Sequence, residues 1–545
     1  MKFRLLLFLL PSIFVQQAFA QPNETWVKRY NGPGDNVDEA RSIAVDTAGN
    51  VYITGSAYNN GAMDIVTISY DPFGQQRWLQ AYDGAAADMD EGYQLALSDS
   101  GNVYVVGYSK GLAGMQDMIT IKYNSAGVQQ WVRFYNGAFN NYDAGNAVAV
   151  DAAGNVYVTG VETASNYAFD FITVKYGPGG ALLWTQSYNG PGNFIDEARD
   201  IDLDANGNVY VTGRSDTFYA SQPNADIVLL KYSNSGAFQW RRVYDSPGHG
   251  YEYSRCLTVD NNNNIYIAGY GFITGNGNDY YILKYNAAGN FQWLRNYNYS
   301  GSSFEEPWGI ACDSQNNVVV TGGGVTPSAG SNDFVTVKYD PAGVFQWASR
   351  YNGPGNGDDK AYGIAIDDSM NIYVTGHSKG TGTLLDMATV KYNPAGTQQF
   401  ALRYNNATNQ DDAGNAIAVR DGDIYVTGKS INYQTADYIT IRYSYTLIGL
   451  QENSAGVVPL SLYPNPGNNQ VTLLVPAAPG GEKSYFIAIS NAAGAIVRVA
   501  EPVVGESIGT RSALLLNTSG LAAGYYLIQA FEGDKWLGTS SLIVK

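Results

Sequence analysis

At 545 residues the chain exceeds what a single hydrophobic core supports, so it is read as several domains or a repeat array. Apolar residues make up 45% and charged residues only 15%, which excludes a disordered chain, while 62 Gly and 43 Tyr favour turns and strands over helices. With 32 basic residues against 49 acidic ones, the net charge of −17 repels phosphate backbones and excludes nucleic acid as a partner.

Residues 1–20 read as a signal peptide. Lys2 and Arg4 supply positive charge, Leu5 to Val15 form a short apolar run, and Ala18-Phe19-Ala20 is a small-residue cleavage site. The mature chain is expected to begin near Gln21, with no Cys there to carry a lipid. No later stretch reaches the roughly 18 apolar residues of a spanning helix, so no transmembrane segment is expected.

From Gly49-Asn50-Val51-Tyr52-Ile53-Thr54-Gly55 onward one phrase returns, its final glycine falling at Gly107, Gly160, Gly213, Gly269, Gly322, Gly376 and Gly428. Spacings of 52 to 56 residues mark stacked supersecondary units, and there are eight. Each unit carries four segments of period 2, which in the first are Ser42 to Val45, Val51 to Thr54, Ile65 to Tyr70 and Arg77 to Tyr82. Named A to D, with tight A to B and C to D turns, they describe a four-stranded propeller blade.

One aromatic per unit sits in strand D: Trp26, Trp78, Trp131, Trp184, Trp240, Trp293, Trp347 and then Phe400. Its expected role is to fill the gap between neighbouring blades, each burial contributing about 1.5–3 kcal/mol. The mature chain opens on a lone strand D, Thr25 to Tyr30, and the eighth unit stops after strand C at Tyr443. The expectation is therefore all-β, an eight-bladed β-propeller over residues 21–445 whose N-terminal strand completes the last blade and closes the ring. These strings, such as Ser42-Ile43-Ala44-Val45-Asp46 followed by Gly49-Asn50-Val51-Tyr52, resemble the SBBP propeller repeats, which are related in pattern to NHL repeats. The family's name speaks of seven blades where eight units are counted here, and the resemblance implies a secreted scaffold without one fixed activity.

Cys256 and Cys312 lie in equivalent strands of adjacent units, four and one residues ahead of Asp260 and Asp313. An offset of three residues is about 10 Å along a strand, beyond the roughly 7 Å that a disulfide spans, so two buried thiols are expected.

Residues 446–458 have the unpatterned look of a linker, and 459–545 read as a small β-sandwich. Its opening Tyr463-Pro464-Asn465-Pro466, the turn Leu521-Ala522-Ala523-Gly524-Tyr525-Tyr526 and the terminal Lys545 resemble the C-terminal sorting domain of type IX secretion substrates. That resemblance implies a secreted or cell-surface protein of a Gram-negative, Bacteroidetes-like bacterium, and a tail that engages the secretion machinery and is then removed.

The B to C connections, such as Ser56 to Met63 and Arg214 to Ala225, and the D to A connections are expected to be long loops on one face. Rich in Gly, Asn, Ser and Tyr, they have the composition of adaptable binding surfaces. Ahead of every strand A stands an acid: Asp38, Asp90, Asp143, Asp196, Glu252, Glu305, Asp359 and Asp412. A second acid opens every strand C, from Asp64 and Asp117 to Asp386 and Asp437. Two readings stand side by side, a cation or electrostatic site at the channel mouth, for which calcium is the candidate ion, and carboxylates that accept hydrogen bonds inside their own blades. Tyr58, in the first B to C loop, and Trp308, outside the strand D set, join the eight acids as candidate binding residues.

No catalytic triad, phosphate loop or zinc spacing is present, and Asp202 to Gly207 begins like a calcium loop but has Gly213 where a bidentate Glu is needed. His249 and His377 are expected in surface loops. No catalytic residue, cofactor or metal ligand is assigned. The expected function is a monomeric, non-catalytic surface scaffold that binds glycan or an extracellular protein through the long-loop face. The alternative is a polysaccharide hydrolase or lyase using acids at the channel mouth, sought first in the fourth unit and at Glu305-Glu306-Pro307-Trp308 of the sixth.

Overall fold

In a computed structural model of the chain, the described residues are 21–445 apart from 60, 112–114, 166–167, 220–221, 274–276, 299–302, 326–329 and 434, followed by 461–463, 470–476, 485–491, 496–500, 503–508, 511–519, 521, 524–532 and 535–544. The expected signal peptide and the 446–458 linker lie outside them. Two compact units divide at Tyr445 and Thr446. Among the described residues there is no helix, and none therefore is long and apolar enough to cross a membrane.

In the first unit each of the first seven repeats makes one four-stranded antiparallel ladder, the fifth and sixth being joined into a single sheet by a short parallel pairing. The first comprises Glu39–Val45, Val51–Asn59, Ala62–Tyr70 and Gln76–Tyr82 in that order. Strands B and C are buried along nearly their whole length, which is why they read as continuous Val, Ile, Thr and Tyr runs, while strand D alternates. The A to B turn is held by one carboxylate: Asp46 accepts the N–H groups of Ala48 and Asn50, the Asn50 amide and the Tyr52 hydroxyl, with Gly49 at φ +79°. Asp204 makes the same turn, so the stretch from Asp202 to Gly207 has its carboxylate already saturated.

The B to C connections expected as long loops in the first and fourth repeats are instead largely strand. Val51–Asn59 pairs with Ala62–Tyr70 up to Asn59 opposite Ala62, and Val209–Tyr219 with Gln222–Tyr232 up to Tyr219 opposite Gln222. Ser56, Ala57 and Tyr58, like Thr217, Phe218 and Tyr219, suit a pleated strand and extend the ladder where Gly and Asn content suggested irregular chain.

Neighbouring sheets meet through eight mixed cores among the described residues, seven drawn from two consecutive repeats and one from the first and the last. The strand D tryptophans carry these contacts: the Trp78 indole N–H donates to the Ser125 carbonyl in the next sheet, Trp131 to Pro178 and Trp293 to Pro341. Each ring covers a turn glycine there, so that a Cβ at Gly127 would come within 2.5 Å of Trp78. A lysine of strand C adds a second tie, as Lys122 lies 5.3 Å from the Tyr104 ring and donates to Pro178 O, and Lys175 does the same with Tyr157 and Asn234.

The lone first strand, Asn23–Tyr30, pairs antiparallel with Thr435–Ser444 and so makes the fourth strand of the last sheet. Trp26 then donates to Pro72 O and, with Tyr425 and Tyr438, shares a core with Val51 and Ile53, so the last sheet packs against the first. Cys256 and Cys312 are free thiols, half-buried in strands A.

The second unit has two four-stranded sheets. One orders Ser461–Tyr463, Gln470–Pro476, Arg511–Asn517 and Val503–Ile508; the other orders Ile496–Ala500, Tyr485–Asn491, Gly524–Glu532 and Lys535–Val544. Val471, Leu473 and Leu514 from the first sheet share one core with Ile487, Ile528 and Leu542 from the second, the packing of a sandwich.

Candidate functional site

The eight acids ahead of strand A are all fully buried. Asp38 accepts the N–H of Gly32, six residues before it, and of Tyr58, twenty after it. Asp90, Asp143 and Asp359 repeat that pair of bonds, with Gly84 and Lys110, Gly137 and Thr163, and Gly353 and Lys379. Asp196 accepts the Gly190 N–H, Glu252 the Ser246 N–H and hydroxyl, and Asp412 the Asn406 N–H and amide. Each carboxylate thus staples the incoming loop to its own sheet. Burial raises Asp38, Asp143, Asp196 and Asp412 to about 6, and Glu252 to about 7, against the opposing pull of these hydrogen bonds. Tyr58 donates its hydroxyl to Gly61 O within its own hairpin.

Two groups of three acids bring carboxylate oxygens within 4.8 Å of one another, Asp64 with Asp83 and Asp90, and Asp226 with Asp245 and Glu252. Their oxygen-only donor sets suit a hard cation such as calcium. The expected surface position of His377 is corrected: it lies buried in the strand Ile372–Lys379, where Nδ1 is 3.1 Å from the Tyr362 hydroxyl and Nε2 is 3.2 Å from Asp358. The imidazole draws the Asp358 carboxyl down to about 2. His249 is in a loop, its Nδ1 2.7 Å from Asp245.

What faces outward at this end of the sheets comes three positions past each acid. Every A to B ladder slips register there: Ala40 and Ser42 pair across, Arg41 does not, and the same bulge falls at Tyr93, Asn146, Arg199, Arg255, Trp308, Tyr362 and Asn415. A bulge frees one side chain from the pleat and re-aims it. The frame around it is constant, an acid, one intervening residue and then a small residue or proline, while the bulged residue varies among Arg, Tyr, Asn and Trp.

Bulged residues of five consecutive repeats, Tyr93, Asn146, Arg199, Arg255 and Trp308, line a cleft of about 360 Å³ together with Glu197. A larger one of about 520 Å³ adjoins it through Arg199 and Arg255 and adds Arg214 and a wall of Tyr251, Tyr253, Tyr270, Phe272 and Phe304. Here the fifth and sixth sheets are joined by backbone, Gly277 pairing with Ser303 and Asn278 with Phe304. Tyr253 stacks on Tyr270 with centroids 5.2 Å apart. The Arg255 guanidinium lies 4.3 Å from the Trp308 ring centre and 5.4 Å from that of Tyr270, and pairs with Glu306. Arg199 pairs with Glu197 at 2.8 Å, and Arg214 lies 5.0 Å from the Tyr253 ring. Of the sequence candidates, Trp308 lines the smaller cleft, while Tyr58 and the eight acids line neither cleft. Sequence reading passed over the arginines, although the one variable position beside a constant acid was available as the signal.

Repeated four-stranded sheets meeting edge-turn to tryptophan, with ligand-sized clefts at their strand A ends, define a β-propeller type of repeat protein. More particularly, residues 25–61 and 346–382 match the SBBP beta-propeller repeat, and 461–545 match the secretion system C-terminal sorting domain, which indicates type IX secretion. An uncharacterised WD repeat-containing protein of Acanthamoeba polyphaga mimivirus is 26% identical over 309 residues, which is 50% of this chain and 20% of that protein, so the match spans about a fifth of that relative. Among solved structures, the polysaccharide lyase Uly1 aligns over 64% of this chain and 89% of its own, at 11% identity and TM-score 0.42. The WD40 domain of SCAP from fission yeast aligns over 77% and 98%, at 9% identity and TM-score 0.40.

Proposed function

We propose that the protein is an exported, non-catalytic propeller of eight blades, closed by its N-terminal strand, that binds a glycan at the strand A end of the blades. The observation that carries the reading is the bulge: one side chain per repeat, re-aimed from a constant frame, with five of them converging on one cleft beside an aromatic wall. Flat rings such as Tyr253 and Tyr270 suit the C–H face of a sugar, and the guanidinium, amide and carboxylate groups around them suit its hydroxyls. Glycoside chemistry needs a carboxyl free to reach the bond, whereas Glu252 and Glu305 are fully buried and Glu197 and Glu306 are paired with Arg199 and Arg255, which favours binding over hydrolysis. The reading uses no resident cofactor, and chelation of calcium is expected to leave binding unchanged.

A panel of immobilised polysaccharides tests it. The exported chain is expected to bind some of them and release no products, and Tyr253→Ala with Trp308→Ala is expected to lower affinity about tenfold or more. Binding that survives this double substitution unchanged, or soluble products from any polysaccharide, would sink the reading.

A further inference from the structure

We infer that the glycan recognised at the larger cleft is anionic, its carboxylate or sulfate groups held by Arg199, Arg214 and Arg255. The inference rests on the glycan reading above and narrows it to a substrate class.

Three guanidinium groups line this cleft and no carboxylate does, in a chain whose net charge is −17. Their partners Glu197, Asp216 and Glu306 are not among the lining residues of the larger cleft. Salt bridging of this kind neutralises one edge of each guanidinium and holds the side chain in place, while its remaining N–H groups stay available to a ligand. The lining is rich in donors, because the Arg199, Arg214 and Arg255 guanidinium groups donate and do not accept. Neutral sugar hydroxyls both donate and accept; carboxylates and sulfates only accept and carry the charge that matches a guanidinium. The Tyr251, Tyr253, Phe272 and Phe304 wall supplies the stacking surface that a bare inorganic anion would not use.

The test is calorimetric titration of the full exported chain with oligosaccharides of equal length in three kinds, uronate-bearing, sulfated and neutral. Expected is binding of the uronate or the sulfated oligomer, whichever of the two names the source of the charge, with the neutral one about tenfold weaker or more, as for the loss of one charge-assisted contact. Affinity should fall as salt rises, and Arg199→Gln should weaken the anionic ligand by a larger factor than the neutral one. Because Arg255→Ala would leave Glu306 unpaired, Arg255→Lys, which keeps the charge and loses the planar fork, is the second variant and is expected to weaken binding about tenfold. Equal affinity for neutral and anionic oligomers, unaffected by Arg199→Gln, overturns this inference and leaves glycan binding standing. No binding in any of the three arms overturns both.

Discussion

Burial raises Asp38, Asp143, Asp196, Asp412 and Glu252 to about 6 or 7, where the unfolded chain titrates near 4. Between those values the folded state holds protons that the unfolded chain has released. Their contribution to stability is therefore complete at acid pH and lost as pH rises through 6 to 7. Asp46 and Asp151 act in the opposite sense, because hydrogen bonds from Asn50 and Tyr52, and from Asn155 and Tyr157, outweigh the cost of burial and hold them below the usual range. Their contribution is present above about 4 and disappears on acidification. The melting temperature is expected to peak near pH 4 and decline toward pH 7, read by scanning fluorimetry. Glu252→Gln, which mimics the protonated form, should flatten the alkaline decline; an unchanged slope would contradict the assignment.

The strands follow one rule, that the strand D tryptophan donates to the next sheet's turn, as Trp78, Trp131, Trp184, Trp293 and Trp347 do, with Phe400 standing in that place in the seventh sheet. Trp26 obeys it from the other end of the chain, donating to Pro72 O from a strand paired with Thr435–Ser444. Trp26→Ala is expected to cost about 3–5 kcal/mol, as Trp78→Ala should, in chemical denaturation. If the first strand were an ornament, Trp26→Ala would cost far less than Trp78→Ala. The repeat period, the four strands and the first strand's pairing were legible because burial writes itself as alternation and as a tryptophan per period. The bulges were not, since a register slip at Arg41 or Arg255 leaves no mark in composition and is decided by how the ladder meets the small residue before it. His377 misled because its neighbours Gly376 and Ser378 read as loop, although the period of strand B runs through them. The acids of strand A were found but their surroundings were not, for seven of the eight are consumed by partners six residues back, and four also by N–H groups twenty ahead, that only the folded loop brings together.

At the scale of the molecule, the two compact units have separate cores. Removing residues 446–545 is expected to leave the melting temperature and glycan binding of the first unit unchanged, while abolishing appearance of the protein outside the cell, as followed by surface labelling. A tail-less chain that unfolds would show that the units depend on one another.

The antiparallel match of Asn23 with Ser444 has a consequence for timing. A polypeptide threaded through a narrow conduit delivers its opening segment first, yet that segment's hydrogen-bonding companion arrives only when the whole repeat array has passed. Until then Asn23–Tyr30 lacks the strand it pairs with, and the sheet they share is incomplete.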